Sequence, residues 1–274
     1  MVMFGRYAGR ADLSTRLFKS QTGTTAELAA VDRVIEAASR DIDRHCGRFF
    51  YCATQTRYYV APSSDWLAVD DLISISAIDI DSLGDRTYAQ SWATTDYDLD
   101  PVNARLESPP SPFTRLVVAP NGRYGLPDVA RGIRITGKFG HFDERTAVTT
   151  LSAAITSSSA TSASVTSAAE LDVGDTIQVG SEQLGITAIS GTTLTVLRGV
   201  NGTSAATHLI SVSVERFGYP AITEAALIHA TRLYKRHDAP FGIAGAPDVG
   251  QMRIPKLDPD AERLLAPFKK KLPR

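Results

Sequence analysis

The chain has 274 residues, of which 43% are apolar and 22% charged, an ordinary globular composition with room for one large domain or two smaller ones. A formal charge of −1 exerts no global pull toward nucleic acid, and the basic ending KKKLPR reads as a solvated tail. Two cysteines, Cys46 and Cys52, make no disulfide framework, so a reducing compartment is expected, with each thiol a small packing residue. The opening MVMFGRYAGRADLSTRL has no basic start followed by an apolar run, and no stretch approaches the ~18 apolar residues that span a bilayer. Neither signal-directed export nor a membrane role is expected.

Residues 1–22 carry no sustained period and read as an arm whose order depends on a partner. Thr24-Thr25-Ala26-Glu27 has the capping-box form, and Leu28, Val31, Ile35, Ala38 and Ile42 then recur at steps of three and four. Gly47 closes this helix where a left-handed backbone is cheap. Strands are expected over Phe49–Val60 and Leu72–Ile80, with a turn at Pro62–Asp65 between them. A hairpin turn at Ser82–Asp85 leads into Thr87–Ala93, and short extended pieces follow around 97–99, 116–118 and 133–136. The connections ESPPSPF and APNGRYGLPD separate them, so the middle reads as a small β portion with long loops.

Composition shifts at Ala147. The Ser/Thr/Ala-rich run to Ala169 holds Leu151, Ile155 and Val165 and is read as short strands rather than a linker. DTIQVG, EQLGITAIS, TTLTVLRG and HLISVSVE then have period-two character, with turns at Gly180-Ser181, Ser190-Gly191 and Asn201-Gly202. The expected architecture is α+β: a helical-bundle body with a small β portion at 1–144 and 217–274, plus an inserted all-β module, barrel or sandwich, at 145–216.

Pro220 suits a first helical position, and Ile222, Ala226, Leu227, Ala230, Leu233 and Tyr234 give the following helix an apolar, alanine-rich face for close packing on the Thr25–Cys46 helix. Glu224 is placed in its first turn, Lys235 and Arg236 in its last, and Asp238 and Pro240 are expected to stop it. Asp258 and Pro259 start a short last helix with apolar Leu264, Leu265 and Phe268.

No catalytic signature is present: H-E-x-x-H, G-x-x-x-x-G-K-[ST], G-x-S-x-G and C-x-x-C are all missing. The expectation is a protein that is not an enzyme, with no cofactor and no metal. His45 beside Cys46 lacks further ligands, and His229 reads as a packed or surface histidine. Asp79-Ile-Asp81-Ser-Leu83-Gly84 begins like a calcium loop but has Leu83 at position five and Gln90 at twelve, so a hairpin turn explains it better. The Phe49–Tyr51 and Tyr58-Tyr59 clusters read as sheet packing rather than base-stacking platforms.

The phrases VIEAASRDIDRHCGRFFY, DYDLDP, RITGKFG and ITEAALIHATRLYKRHDAPFGIAG, in that order, resemble the head-to-tail connector, or adaptor, proteins of tailed bacteriophages over roughly 24–140 and 218–268. VGDTIQVGSEQLGITAISGTTLTVLRGVNGTSAATH resembles a small β module of various phage structural proteins, inserted where the connectors run directly from strand to helix. The resemblance implies a virion protein of the neck between capsid and tail, assembled in the host cytoplasm as a homo-oligomeric ring, commonly dodecameric. Its implied partners are the portal protein, a head-closure or tail-side protein, and DNA passing through the channel. On this reading Leu257, Leu264, Leu265 and Phe268 dock on the portal, and the loop with Phe241, Met252 and Arg253 meets a neighbour or the channel. The alternative is a virion binding module whose β insert recognises a host surface or capsid partner.

Overall fold

In the second helix of the chain the end signals act as the sequence predicts. Thr24 Oγ1 accepts the Glu27 amide at 3.3 Å while Glu27 accepts the Thr24 amide at 2.7 Å, so two amides without helical partners are satisfied reciprocally. Gly47 then closes it at φ 67°. The computed structural model describes residues 4–18, 23–122, 124–236, 243–244, 252–253 and 257–270. Its helices are α1 (Arg10–Phe18), α2 (Thr25–Cys46), α3 (Pro220–Lys235) and α4 (Pro259–Leu265).

The expectation of a helical-bundle body is overturned: the protein is mostly β, built on two six-stranded antiparallel sheets with four helices among the described residues. The first sheet contains β1 (Ala53–Tyr59), β2 (Trp66–Ile80), β3 (Gln90–Ser91), β4 (Tyr97–Asp100), β5 (Phe113–Val118) and β6 (Ile133–Phe139). Its order is β1-β6-β2-β5-β4, with β3 also on β2. Of the pieces that read as isolated strands between long loops, β3, β5 and β6 pair directly with β2, which runs 15 residues, and β4 joins through β5. Sheet pairing joins residues far apart in sequence, and local periodicity carries no sign of it.

This sheet belongs to a compact unit of Phe49–Asp143 with Asn201–Thr203. Its core follows the strand period: Ile133, Ile135 and Phe139 alternate inward on β6 against Leu72, Ile78 and Ile80 of β2. β2 is bulged against β6 near Ser74 and Ala77. There a Cβ on Gly137 would lie 2.2 Å from the Ser74 carbonyl oxygen, so the glycine of RITGKFG permits a backbone approach that no side chain would.

The other compact unit comprises Phe4–Arg48, Glu144–Val200 and the chain from Ser204 onward. Its sheet contains β7 (Arg145–Thr150), β8 (Ser162–Ser164), β9 (Thr176–Val179), β10 (Glu182–Ser190), β11 (Thr193–Leu197) and β12 (Ser213–Phe217), ordered β7-β12-β9-β10-β11-β8. The two outer strands meet: Leu151 bridges Val165, and the Thr166 amide donates to the Thr150 carbonyl at 2.9 Å. The sheet therefore curls onto itself around Leu151, Ile177, Leu184, Ile186, Leu194 and Val214. In the same unit α3 packs on α2 and on α4. Ala225, Ala226 and Ala230 have no accessible surface, so α3 seats closely through small side chains. Asp238 and Pro240, the expected stop of α3, lie outside the described residues.

Gly137→Ala is expected to lower the stability of the first sheet by about 1–3 kcal/mol through overpacking. Gly218→Ala, where no atom lies within 4 Å of the added Cβ, is expected to stay within about 0.5 kcal/mol of wild type. Urea melts of both variants check this, and equal effects would refute the close-approach argument.

Candidate functional site

The arm at residues 4–18 is ordered by its own unit. Tyr7 is 1% exposed and Leu13 fully buried. The Tyr7 hydroxyl donates to Asp43 and its amide to Ser39 Oγ on α2. Arg10 forks onto Asp32, and Arg6 reaches Asp32 at 3.2 Å and Glu36 at 3.3 Å. Arg16 pairs with Glu224 of α3 at 2.6 Å, so Glu224 serves a tertiary contact rather than the helix dipole. Toward the second sheet, the Ala11 amide donates to Asp172, the Arg10 amide to the Val173 carbonyl, and the Phe4 ring covers Gly185.

Between this arm, the second sheet and the start of α3 lies a cleft of about 280 Å³ lined by Arg6, Asp12, Asp175, Thr176, Arg216 and Tyr219, among others. Burial pushes the Asp175 carboxyl up to about 7, against a single amide donor from Asp172 and the Arg216 guanidinium 4.0 Å away. A carboxyl titrating near neutrality in a cleft is the type of group that general acid–base chemistry uses. The cations around it are engaged, however: Arg6 by Asp32 and Glu36, and Arg216 by the Glu170 carbonyl at 2.6 Å. The cleft thus presents neither an open anion site nor an oriented nucleophile, and its polar groups fasten the arm.

The most heavily bonded polar group was not singled out by sequence reasoning. Glu182 has no accessible surface and accepts from Arg198 Nε at 2.7 Å and Nη2 at 2.8 Å. It also accepts from the Gly199 amide at 2.9 Å and the Ala206 amide at 3.0 Å, and His208 Nε2 lies 2.7 Å away. Burial alone raises its carboxyl, but Arg198, Ala206, His208 and Gly199 together outweigh it and hold the group at about 2. Arg198 also donates to the Ser157 and Ala160 carbonyls, tying the loop between β7 and β8 to the one that follows β11. The signal available in the sequence was an ionisable residue opening the apolar run EQLGI, followed by RG and a histidine in the phrase that resembles phage β modules.

Of the residues proposed to dock on the portal, Leu265 is fully buried, while Leu257, Leu264 and Phe268 are half-buried on or beside α4. Asp258 caps that helix by accepting the Asp260 amide at 2.9 Å. Met252 and Arg253 form a two-residue ladder with Ala244 and Ile243, and Phe241 lies outside the described residues. A groove of about 490 Å³ runs between the start of α2 and the end of α3, lined by Ala26, Ala30, Val34, Leu233 and Tyr234 with Glu27 and Arg33.

The weaker chemical candidates resolve into structure. Asp81 accepts the Gly84 amide at 2.7 Å and the Arg86 amide at 2.8 Å, so the calcium-like phrase is a capped turn. His229 is 3% exposed and pairs with Asp41 at 3.1 Å, and burial raises the Cys46 thiol to about 11. Phe50 packs against His141 and Phe142, whereas Tyr58 stands out from the sheet at 43% exposure with Arg131 over its ring. Among the described residues no group of three or more His, Cys, Asp or Glu could hold a metal, and no helix is long and apolar enough to cross a membrane.

No family model and no curated protein matches the chain. Among solved structures, the neck of an empty GTA particle computed with C6 symmetry is similar over 98% of this chain and 92% of that one, at 14% identity and a TM-score of 0.44. The Gp54 tailspike of Acinetobacter baumannii bacteriophage AP22, in complex with A. baumannii capsular saccharide, is similar over 27% of this chain at 16% identity and a TM-score of 0.23. That likeness spans 15% of the tailspike's length. One structural neighbour is therefore the neck of a phage-like particle.

Two carboxyls should move stability with pH in opposite directions. Glu182, held at about 2 against an ordinary 4.5, contributes stability that is fully present above pH 4.5 and lost as pH falls toward 2. Glu182→Gln, which leaves Arg198 buried without its counter-charge, is expected to cost about 3–5 kcal/mol at pH 7. Its melting midpoint should also fall less steeply than that of wild type between pH 5 and 2.5. Asp175, raised to about 7 from 3.8, favours the fold when protonated, and that contribution is lost as pH rises through this interval. Asp175→Asn should therefore gain stability relative to wild type between pH 4 and pH 8. Thermal melts across this range test both, and parallel curves for variant and wild type would refute the corresponding assignment.

Proposed function

We propose that this chain is a structural component of a phage head-to-tail interface, a ring subunit that docks on the portal and extends the DNA channel toward the tail. The observation that carries the reading is that the two longest phrases resembling connector proteins supply the second half of α2, from Val34 to Cys46, and nearly all of α3, from Ile222 to Lys235, a helix pair packed on one another. RITGKFG, from the same series, is β6, whose Gly137 is demanded by the close approach of β2. The β module fits as an insertion because it is entered and left at one place: β7 and β12 are paired neighbours, with Arg145 opposite Phe217. Ring closure needs two unlike surfaces on one subunit, and a near-neutral chain suits DNA in transit, since every neutralised phosphate adds to a salt-dependent hold. The partners on this reading are further copies of the chain, commonly twelve in a ring, the portal, a head-closure or tail-side protein, and the passing DNA.

A second reading, a virion module that recognises a host surface or capsid partner, is favoured by one feature of the curled sheet. The turn before β12 exposes Leu209 at 76% and Ile210 at 59%.

Gold-labelled antibody against the chain should decorate particles at the junction of head and tail; label confined to the tail tip or capsid surface would sink the ring reading. Truncating α4 is a blunt test of portal docking, because Ala261 and Leu265 are buried and their loss would damage the unit itself. Leu264→Asp on the half-buried face is expected to weaken portal association at least tenfold with a melting midpoint within a few degrees of wild type. Unchanged association would remove the docking role. Leu209→Asp with Ile210→Asp should leave neck assembly intact, and loss of host adsorption in that variant would favour the second reading.

A further inference from the structure

The first sheet ends in two unlike edges. β1 pairs only with β6 on one side and β4 only with β5 on the other, so each leaves a row of main-chain donors and acceptors unpaired among the described residues. Exposed edges are commonly blunted by Lys, Pro or a bulge. β1 has none of these over its seven residues ATQTRYY, which are rich in β-branched and aromatic side chains and pair with β6 in unbroken register. Arg57, its single charged residue, is neutralised by Asp70 at 2.7 Å. Beside this edge the exposed Arg131 lays its guanidinium 4.3 Å above the exposed Tyr58 ring and makes no ion pair among the described residues. The β4 edge is acidic: Asp98 is exposed and engages no partner among the described residues, and Asp100 reaches Arg115 only at 4.0 Å.

These charges discriminate among the possible pairings. Joining β4 to β4 sets Asp98 and Asp100 of two copies against each other, and joining β1 to β1 leaves the Arg131 of each copy without an acid to meet. Like charges directly opposite across strands are destabilising. Joining β4 to β1 brings Asp98 toward Arg131 and Tyr58, an opposite-charge pair with an aromatic platform. We propose that the β4 edge of one copy pairs with the β1 edge of the next, making the sheet continuous across a heterologous subunit interface. The contact is head to tail, so each added copy presents the same free edge again, and the series closes when the rotation per copy divides a full turn. This rests on the ring reading above and specifies which surface joins its subunits.

The test uses the full chain with Tyr58→Cys and Asp98→Cys, singly and together. Native Cys46 and Cys52 are each 2% exposed and remain out of reach of a mild oxidant. Under copper–phenanthroline oxidation the double variant should give a reducible ladder beyond the dimer on denaturing gels, while each single variant stays monomeric. Independently of exact register, Asp98→Arg should lower the assembled fraction at least tenfold by mass photometry, and adding Arg131→Asp should restore it. Circular dichroism and melting of the reduced variants verify folding. Dimers from either single variant would show like edges meeting and overturn the proposal. Assembly of wild type with neither a ladder nor charge-swap sensitivity would overturn it while leaving the ring reading standing. A ladder built of open chains, with no closed rings by negative-stain microscopy, would uphold the edge pairing and sink the ring. Wild type that stays monomeric at every concentration and with portal present would sink both.

Discussion

A carboxylate with no accessible surface must be fully bonded or neutral, and Glu182 meets that constraint with four hydrogen-bond donors besides His208. It stands at the start of β10, the strand that pairs with both β9 and β11. Through Arg198 the same charge fixes the loops that carry Ser157, Ala160 and Ala206. Three residues further along β10, the absence of a side chain at Gly185 admits the ring of Phe4. The arm that begins there continues through Tyr7 and Arg10 to α2 and through Arg16 to α3. In this unit one buried charge anchors the strand, the strand receives the arm, and the arm reaches the helices.

Carboxyls in this unit separate according to how many donors they receive. Glu182 is fully buried and Asp175 half-buried, and burial by itself raises each. Glu182 receives a guanidinium fork and two amides and is driven down to about 2, while Asp175 has one amide and a guanidinium at 4.0 Å and stays up near 7. Asp43 behaves like Asp175: burial raises it to about 6, although the Tyr7 hydroxyl donates to it. Asp43 under Tyr7 and Asp175 in the cleft are thus weakly compensated, whereas the acid that holds the curled sheet is strongly compensated. As pH rises toward 7 the contributions of Asp43 and Asp175 fall, while that of Glu182 stays complete and is lost only as pH drops toward 2.

Elements whose instructions are local were legible in the sequence. The capping box at Thr24, the glycine stop at Gly47, the proline start at Pro220 and the Asp258 cap are short-range hydrogen-bonding or backbone effects, and each end forms where its residues place it. The curled sheet was legible for the same reason: polar and apolar residues alternate in the sequences TIQV and TLTVL, burial follows that alternation in β11, and the strands are punctuated by Gly180 and Gly191 at φ 58° and 59°. The first sheet was underestimated because β3 and β4 have two and four residues, too few to show a period, and because the length of β2 emerges only once β5 and β6 are beside it. The arm shows no sustained period of its own, and one of the contacts that order it is far away in sequence: Asp172 lies 161 residues from Ala11. The Glu182 cluster failed to show for a related reason: a glutamate in a strand and a histidine 26 residues later carry no mutual signal until the chain folds.

Portal docking is where sequence and structure pull hardest on one another. Leu264, Leu265 and Phe268 are spaced as an amphipathic tail, a pattern that serves equally for packing on the same chain and for reaching another. The structure spends Leu265 and Ala261 in the unit's own core, where α4 packs on α3. What is left for a partner is the half-buried side formed by Leu257, Leu264 and Phe268, flanked by the exposed Arg263 and by Lys269 paired with Glu262 at 3.5 Å. A surface that small cannot carry a stable interface of ordinary size by itself, since such interfaces bury about 800 Å² per partner. If α4 is the portal contact, further area must come from beyond it, and the groove at the start of α2 does not adjoin it, because the segment after α4 meets the other end of α2, where the Lys270 amide donates to the Cys46 carbonyl at 2.8 Å. Docking through this tail therefore requires surface supplied by more than its three half-buried side chains.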